Sequence, residues 1–193
     1  GSANAKIIAT SPQLVDDNMD DNPFSHQAEE EAKAQGIRIR YSSQHIWNNI
    51  TGKGNLEVWV PFHFLPGLQG DTTDEKLICR KHSTLSKALG ERLLETTLDN
   101  SQFAFRLGVG LHVLADTWAH QGFAGINAAI NRVQNLIFNA SGATIEKALK
   151  DFIDSHPMIS DLINNYSPLG HVAAAHCPDQ PYLWWKTKYL FAD

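Results

Sequence analysis

Apolar positions along this chain recur mostly at three- and four-residue steps, the period of a helix. Only two short stretches alternate as a strand would. Residues 3–10 read as the end of a helix. Ser11-Pro12 then reads as an N-cap followed by proline at the first helical position, opening a short helix through Asp17. Residues 25–35 form a charged helix stopped by Gly36. Ile37, Ile39 and Tyr41 alternate with Arg38 and Arg40, which predicts a strand. Leu56 to Phe62 predicts a second, and the Gly-containing turn from Thr51 to Asn55 lets the two pair as a small β-ribbon. Helices are predicted over Asp74–Thr97, 101–121, 126–139 and 143–154, the last two separated by Ser141-Gly142. Pro157 starts a short one to Asn164, and the tail after Gly170 is irregular until Tyr182.

The expected fold is therefore mainly α, a multi-helix bundle around a buried central helix with a β-ribbon insertion. It forms a single hydrolase-like domain over 3–193, with Gly1-Ser2 read as a cloning scar. The central helix is 101–121. Phe105, Leu107, Val109, Leu111, Val113, Leu114, Trp118 and Ala119 surround it, and a helix apolar on all sides is a buried one.

Into that helix the sequence places His112, Asp116 and His120. Each four-residue step advances about 40° around the axis and about 6 Å along it, so the three form one row. Burying two imidazoles and a carboxylate unpartnered costs several kcal/mol. A metal, one another, or polar groups on facing elements must satisfy them. Two His and an Asp suit zinc or iron, and a purely structural polar network is the plain alternative.

Two other places carry matching residues. Asp16-Asp17 follows an apolar turn, where one carboxylate can face the core while its neighbours are solvated. His63 sits within Val60-Pro61-Phe62-His63-Phe64-Leu65-Pro66-Gly67, a stiff segment of the kind that holds ligands and general bases in place. His171 and Asp179, on an irregular stretch, are candidates for a second metal position. His26, His45, His82 and His156 lie in polar contexts and are expected at the surface. Nine His in 193 residues is a high count, so their placement matters.

The net charge of −5 with His neutral argues against a nucleic-acid surface driven by bulk charge. No run of about 18 apolar residues occurs, so no transmembrane helix is expected. Cys79 and Cys177 are too few for a disulfide framework. Cys79, beside Leu77 and Ile78, reads as packing inside a helix.

The segments Ile7-Ile8-Ala9 with Gln13 to Asp17, Pro61 to Gly67, Leu111-His112 through Ala124-Gly125, and Pro168 to His171 with Pro178-Asp179 and Trp184 run in order over most of the chain. Together they resemble a largely bacterial family, similar in turn to the zinc-dependent phospholipases C and the single-strand zinc nucleases. That resemblance implies a helical fold and a zinc hydrolase acting on a small-molecule phosphoester. By position it implies Asp16 or Asp17, His63, His112 and Asp116 as metal ligands, with His120 as a further ligand or proton carrier. The departures are clear. The N-terminal Trp and His ligands of those enzymes are absent, and His171 is followed at the four-residue step by Ala175. One metal, or none, is compatible with what remains.

A rival reading resembles the type VI effectors that deamidate Rho-family GTPases, enzymes using a Cys-His-Asp set against a host protein. Ser11, or Ala9, would stand where such an enzyme has its Cys, with His63 or His112 as base and Asp116 orienting it. Either reading suits a protein exported from a bacterium, and neither fixes the compartment. A third class is a non-catalytic module using Trp47, Trp59, Phe62 to Phe64 and Tyr182 to Trp185 as a partner or membrane surface, although aromatic residues at element ends more often serve a core.

Overall fold

The computed structural model describes residues 2–17, 23–36, 40–44, 48, 51–95, 102–131, 137–138, 170 and 185–186. The described elements are α1 (Ser2–Asp17), α2 (Pro23–Ala34), α3 (Trp59–Phe62), α4 (Thr73–Lys76), α5 (Thr84–Leu94), α6 (Phe103–Ala119), a 3₁₀ turn at Ala129–Asn131, and strands β1 (Ile137–Phe138) and β2 (Trp185–Lys186). The described part is mainly α, as the three- and four-residue periodicity implies. β1 and β2 pair antiparallel, with Ile137 opposite Lys186 and Phe138 opposite Trp185.

α6 is the element against which α1, α3 and α5 pack. Two glycines set how closely they approach. A Cβ on Gly108 would stand 2.5 Å from the Ser11 Cβ and 2.9 Å from the Ile8 carbonyl oxygen, so α1 rests directly on the α6 backbone. A Cβ on Gly110 would stand 2.5 Å from the Leu93 side chain, which gives α5 its seat. Ala104, Gly108, Gly110, Val113 and Thr117 are buried, but Phe105, Leu111 and Trp118 are exposed. The helix is thus buried on part of its circumference and not on all sides as its composition implies.

Several expected elements differ. α1 is one helix through Pro12, not two pieces meeting at Ser11. Ser11 is no N-cap: its hydroxyl donates to the Ile7 carbonyl at 2.7 Å inside the helix. Pro12 cannot donate to the Ile8 carbonyl, and that oxygen faces Gly108 across the α1–α6 contact. The face of α1 buried against α6 outweighs the proline's local preference.

Leu56 to Phe62 is not a strand. Val58 N–H donates to Gly54 O, Phe62 N–H to Val58 O and His63 N–H to Trp59 O, a run of helical turns ending in α3. Pro61 fits there because the first helical positions need no donor, whereas a central strand cannot use it. The other half of the expected ribbon falls on residues 37–39, outside those described, and Arg40 and Tyr41 are not in a strand.

The long helix expected over Asp74–Thr97 is broken. Thr72 and Glu75 close a capping box on α4. The chain then runs extended through Ile78 and Cys79, which bridge to Ala124 and Pro66. His82 takes φ +55, and Ser83 caps α5 by accepting from Ser86 N–H at 3.1 Å. The gain is burial. Phe64, Cys79 and Phe123 form one core cluster with Trp59 against it, and Ile78, Ala124 and Ile130 form a second. Each large side chain buried this way contributes about 1.5–3 kcal/mol.

Asn131 is fully buried and holds the intervening loop through hydrogen bonds with both Ala124 backbone groups and the Ile126 carbonyl. Within the helix expected over 126–139, the described residues form a 3₁₀ turn at Ala129–Asn131 and strand β1 at Ile137–Phe138 instead, and 132–136 and 139 lie outside them. The helices expected over 143–154 and from Pro157 to Asn164 lie outside the described residues. Among the described residues no helix is long and apolar enough to cross a membrane.

Candidate metal centre

Three elements deliver side chains to one point. α1 brings Asp16 in its last turn, held there because Val15 beside it is buried. α3 ends at His63, its C-cap residue, whose side chain is 4% exposed. α6 carries His112 and Asp116 one turn apart, and His120 is its C-cap, donating its backbone N–H to Asp116 O at 2.8 Å.

His63 Nδ1 and His112 Nε2 are 3.3 Å apart. Asp116 Oδ2 is 3.2 Å from the first and 3.1 Å from the second. Asp16 Oδ1 is 3.7 Å from each. Asp16, His63 and His112 thus form a group that can hold a metal ion. A tetrahedral site with bonds of about 2.0–2.1 Å spaces its ligand atoms roughly 3.3 Å apart, close to the edges of this triangle. Asp16 is half exposed (51%), whereas Asp116 is only 15% exposed, so the centre opens to solvent on the Asp16 side.

The proton inventory points the same way. His63 Nε2 lies 2.8 Å from the Ser42 carbonyl oxygen, which can only accept, so that nitrogen carries the hydrogen. His63 Nδ1 therefore turns toward His112 and two carboxylates. As an acceptor, His63 Nδ1 repels the carboxylate oxygens facing it unless a proton or a cation stands between them. The pKa values register this strain. Burial pushes Asp116 upward, but the hydrogen bond from His112 and the imidazoles of His63 and His120 close by outweigh it and hold the carboxyl well below the usual range. Burial pushes His112 downward, but its hydrogen bond to Asp116 and the charges of Asp116 and Asp16 raise it above its ordinary value. Asp16 is raised, chiefly by burial, against the pull of His112 and His63.

His120 plays a different part. Its Nδ1–H donates to the His63 carbonyl at 2.6 Å, and its ring stacks on Phe64 at 4.4 Å between centroids. That nitrogen is 3.7 Å from Asp116 Oδ2, so His120 supports His63 while facing the carboxylate. Trp59 packs on the His63 ring at a tilt, 4.8 Å between centroids.

Of the residues singled out in the sequence, Asp16, His63, His112, Asp116 and His120 are brought together. Asp17 is exposed beside them. Ser11 is not: five residues before Asp16 on the same helix, it lies about 140° around the axis, buried against Gly108. Ala9 is exposed. Cys79 is buried in an extended segment, its Sγ 3.9 Å from the Asp116 carbonyl, and burial first, then the Asp116 charge, push the thiol far above its ordinary value. His26 and His82 are exposed as expected, with His82 edge-on to Trp118. His45, Trp47, His156, His171, Asp179 and Tyr182 to Trp184 lie outside the described residues.

Ser42 carries no signal in the residue pattern, because its contact with His63 runs through its backbone oxygen. Phe64 was visible as part of the stiff segment around His63, but not as the platform for His120. A pocket of about 490 Å³ is walled by Ser11, Leu14, Phe62, Phe105 and Val109 and edged by Asp17, Ser42 and Arg40; none of the five clustered side chains lines it. Phe105 and Val109 precede His112 and Asp116 along one face of α6.

The chain belongs to DUF6765, a family of unknown function whose model matches residues 1–193. No curated protein and no solved structure matches it.

Proposed function

We propose that this protein is a metal-dependent hydrolase acting on a phosphoester, with zinc as the metal. The observation that carries the reading is the convergence of Asp16, His63 and His112 atoms at 3.3–3.7 Å from one another on three separate elements. Two imidazoles and one carboxylate with a side open to solvent are the donor set of catalytic rather than structural zinc, which leaves a position for water or substrate. A bound zinc ion supplies a lowered pKa for water and polarisation of a phosphoryl oxygen.

The chain's own groups divide the remaining work. Asp16, His63 and His112 hold the ion. Asp116 stays ionised and balances its charge beside the same two nitrogens. His120 and Ser42 fix His63 from its backbone and ring sides. The pocket walled by Phe62, Phe105 and Val109 offers apolar walls for the part of the substrate that does not react. The deamidase alternative needs a nucleophile: Ser11 is hydrogen-bonded within α1, and Ala9, the other position that reading gives to a Cys, is exposed on the same helix.

The test is hydrolysis of phosphodiester and phosphomonoester p-nitrophenyl substrates by protein stripped with a chelator and then reloaded with zinc. Turnover that is lost on stripping, returns with zinc and is absent in His112→Ala is the expected result. No turnover on either ester class by fully loaded protein overturns the phosphoester assignment.

A further inference from the structure

We propose that Ser42 is a positioning residue that ties the two halves of the metal centre together, and that the ion is bound by His63 through Nδ1. This rests on the metal reading above. Ser42 is 5% exposed and bonded in two directions. Its hydroxyl donates to the Val15 carbonyl at 2.7 Å, and its own carbonyl accepts from His63 Nε2 at 2.8 Å.

Val15 precedes Asp16 in the last turn of α1, so its carbonyl is among those at a helix end that have no helical donor. The Ser42 hydroxyl fills that vacancy and anchors the turn carrying Asp16. The same residue's carbonyl fixes the tautomer and the plane of the His63 ring. One residue from the 40–44 segment therefore sets the spacing between a ligand on α1 and a ligand after α3, elements that are distant in sequence. His120 holds the His63 backbone, donating to its carbonyl at 2.6 Å. Groups that orient metal-bound histidines in this way are worth about 10–100-fold in metal affinity.

The decisive experiment titrates Co²⁺ into the full chain, reads the visible spectrum, and measures zinc affinity by chelator competition in wild type, Ser42→Ala and Ser42→Thr. Ser42→Ala keeps the carbonyl but loses the hydroxyl. We expect it to unfold cooperatively, bind metal about 10–100-fold more weakly and show an altered cobalt spectrum. Ser42→Thr, which keeps the hydroxyl, restores affinity. A Ser42→Ala protein of lowered melting temperature but wild-type affinity and spectrum shows a merely structural role and overturns the proposal.

Nitrogen-15 spectra of the zinc-loaded wild type test the ligand atom without any variant. A hydrogen on His63 Nε2 supports the proposal, and metal on Nε2 overturns it. Wild type that binds neither Co²⁺ nor Zn²⁺ overturns the metal reading itself, an outcome separate from unchanged affinity in Ser42→Ala.

Discussion

Replacing Asp116 by Asn removes the charge on which both site histidines converge while keeping the side chain's shape. In the metal-free protein Asp116 is 15% exposed, accepts from His112 at 3.1 Å and lies 3.2 Å from His63 Nδ1. Hydrogen bonds to charged groups contribute about 1.5–3 kcal/mol each. Asn retains one acceptor oxygen, so a loss of about 2 kcal/mol is expected where His112 is charged. For a chain of this size that is about 4–8 °C in Tm.

The sign of the pH dependence follows from the two shifts. Asp116 is depressed in the fold, so its contribution is present above the unfolded carboxylate value of about 3.9 and is lost as pH falls through the folded one. His112 is raised, so its contribution is present below the unfolded value of about 6.5 and is lost as pH rises through the folded one. The pair therefore stabilises most between about pH 4 and 6.5. Above the His112 value the buried carboxylate has lost its charged partner, and Asn should cost less than about 1 kcal/mol. Urea unfolding of wild type and Asp116→Asn, both in chelator, at pH 6 and pH 9 measures the difference. An equal penalty at both pH values would refute the idea that Asp116 is held down by the imidazoles.

Two further expectations follow from the packing. Gly108→Ala forces a Cβ to 2.5 Å from Ser11 and 2.9 Å from the Ile8 carbonyl, and such overpacking costs about 1–3 kcal/mol by urea unfolding; wild-type stability would mean that α1 does not rest on α6 at this point. Cys79, fully buried with its thiol pushed up, should resist a thiol reagent in native protein at pH 8 and react only on unfolding; rapid native labelling would contradict its place in the core.

The mainly α character and the principal helix were legible because periodicity registers which residues share a face. The His112 to Asp116 step was legible because four residues make one turn. His63 was legible because prolines flank it, whereas the sequence left Asp16 and Asp17 as alternatives, and the last turn of α1 brings Asp16 to the histidines.

What misled was pattern without context. The alternation of Leu56, Val58, Val60 and Phe62 suits a strand, yet Pro61 spoils a ladder and sits easily in a first helical turn. The amphipathic run from Asp74 hides a break, because Ile78 and Cys79 gain more by bridging to Ala124 and Pro66 than by continuing a helix. The capping serine at position 83 was a signal for that break. Ser11-Pro12 looks like a helix start, and burial against Gly108 overrides it. The grip of Ser42 and the direction of His120 run through backbone carbonyls, which side-chain spelling does not encode.

Metal content tests the centre most directly. Protein purified without chelator should carry about one equivalent of zinc or another transition metal by elemental mass spectrometry. His63→Ala and His112→Ala, confirmed folded by circular dichroism, should carry almost none. Wild type holding less than about 0.2 equivalents, and taking up none from a zinc buffer at pH 8, would contradict the account.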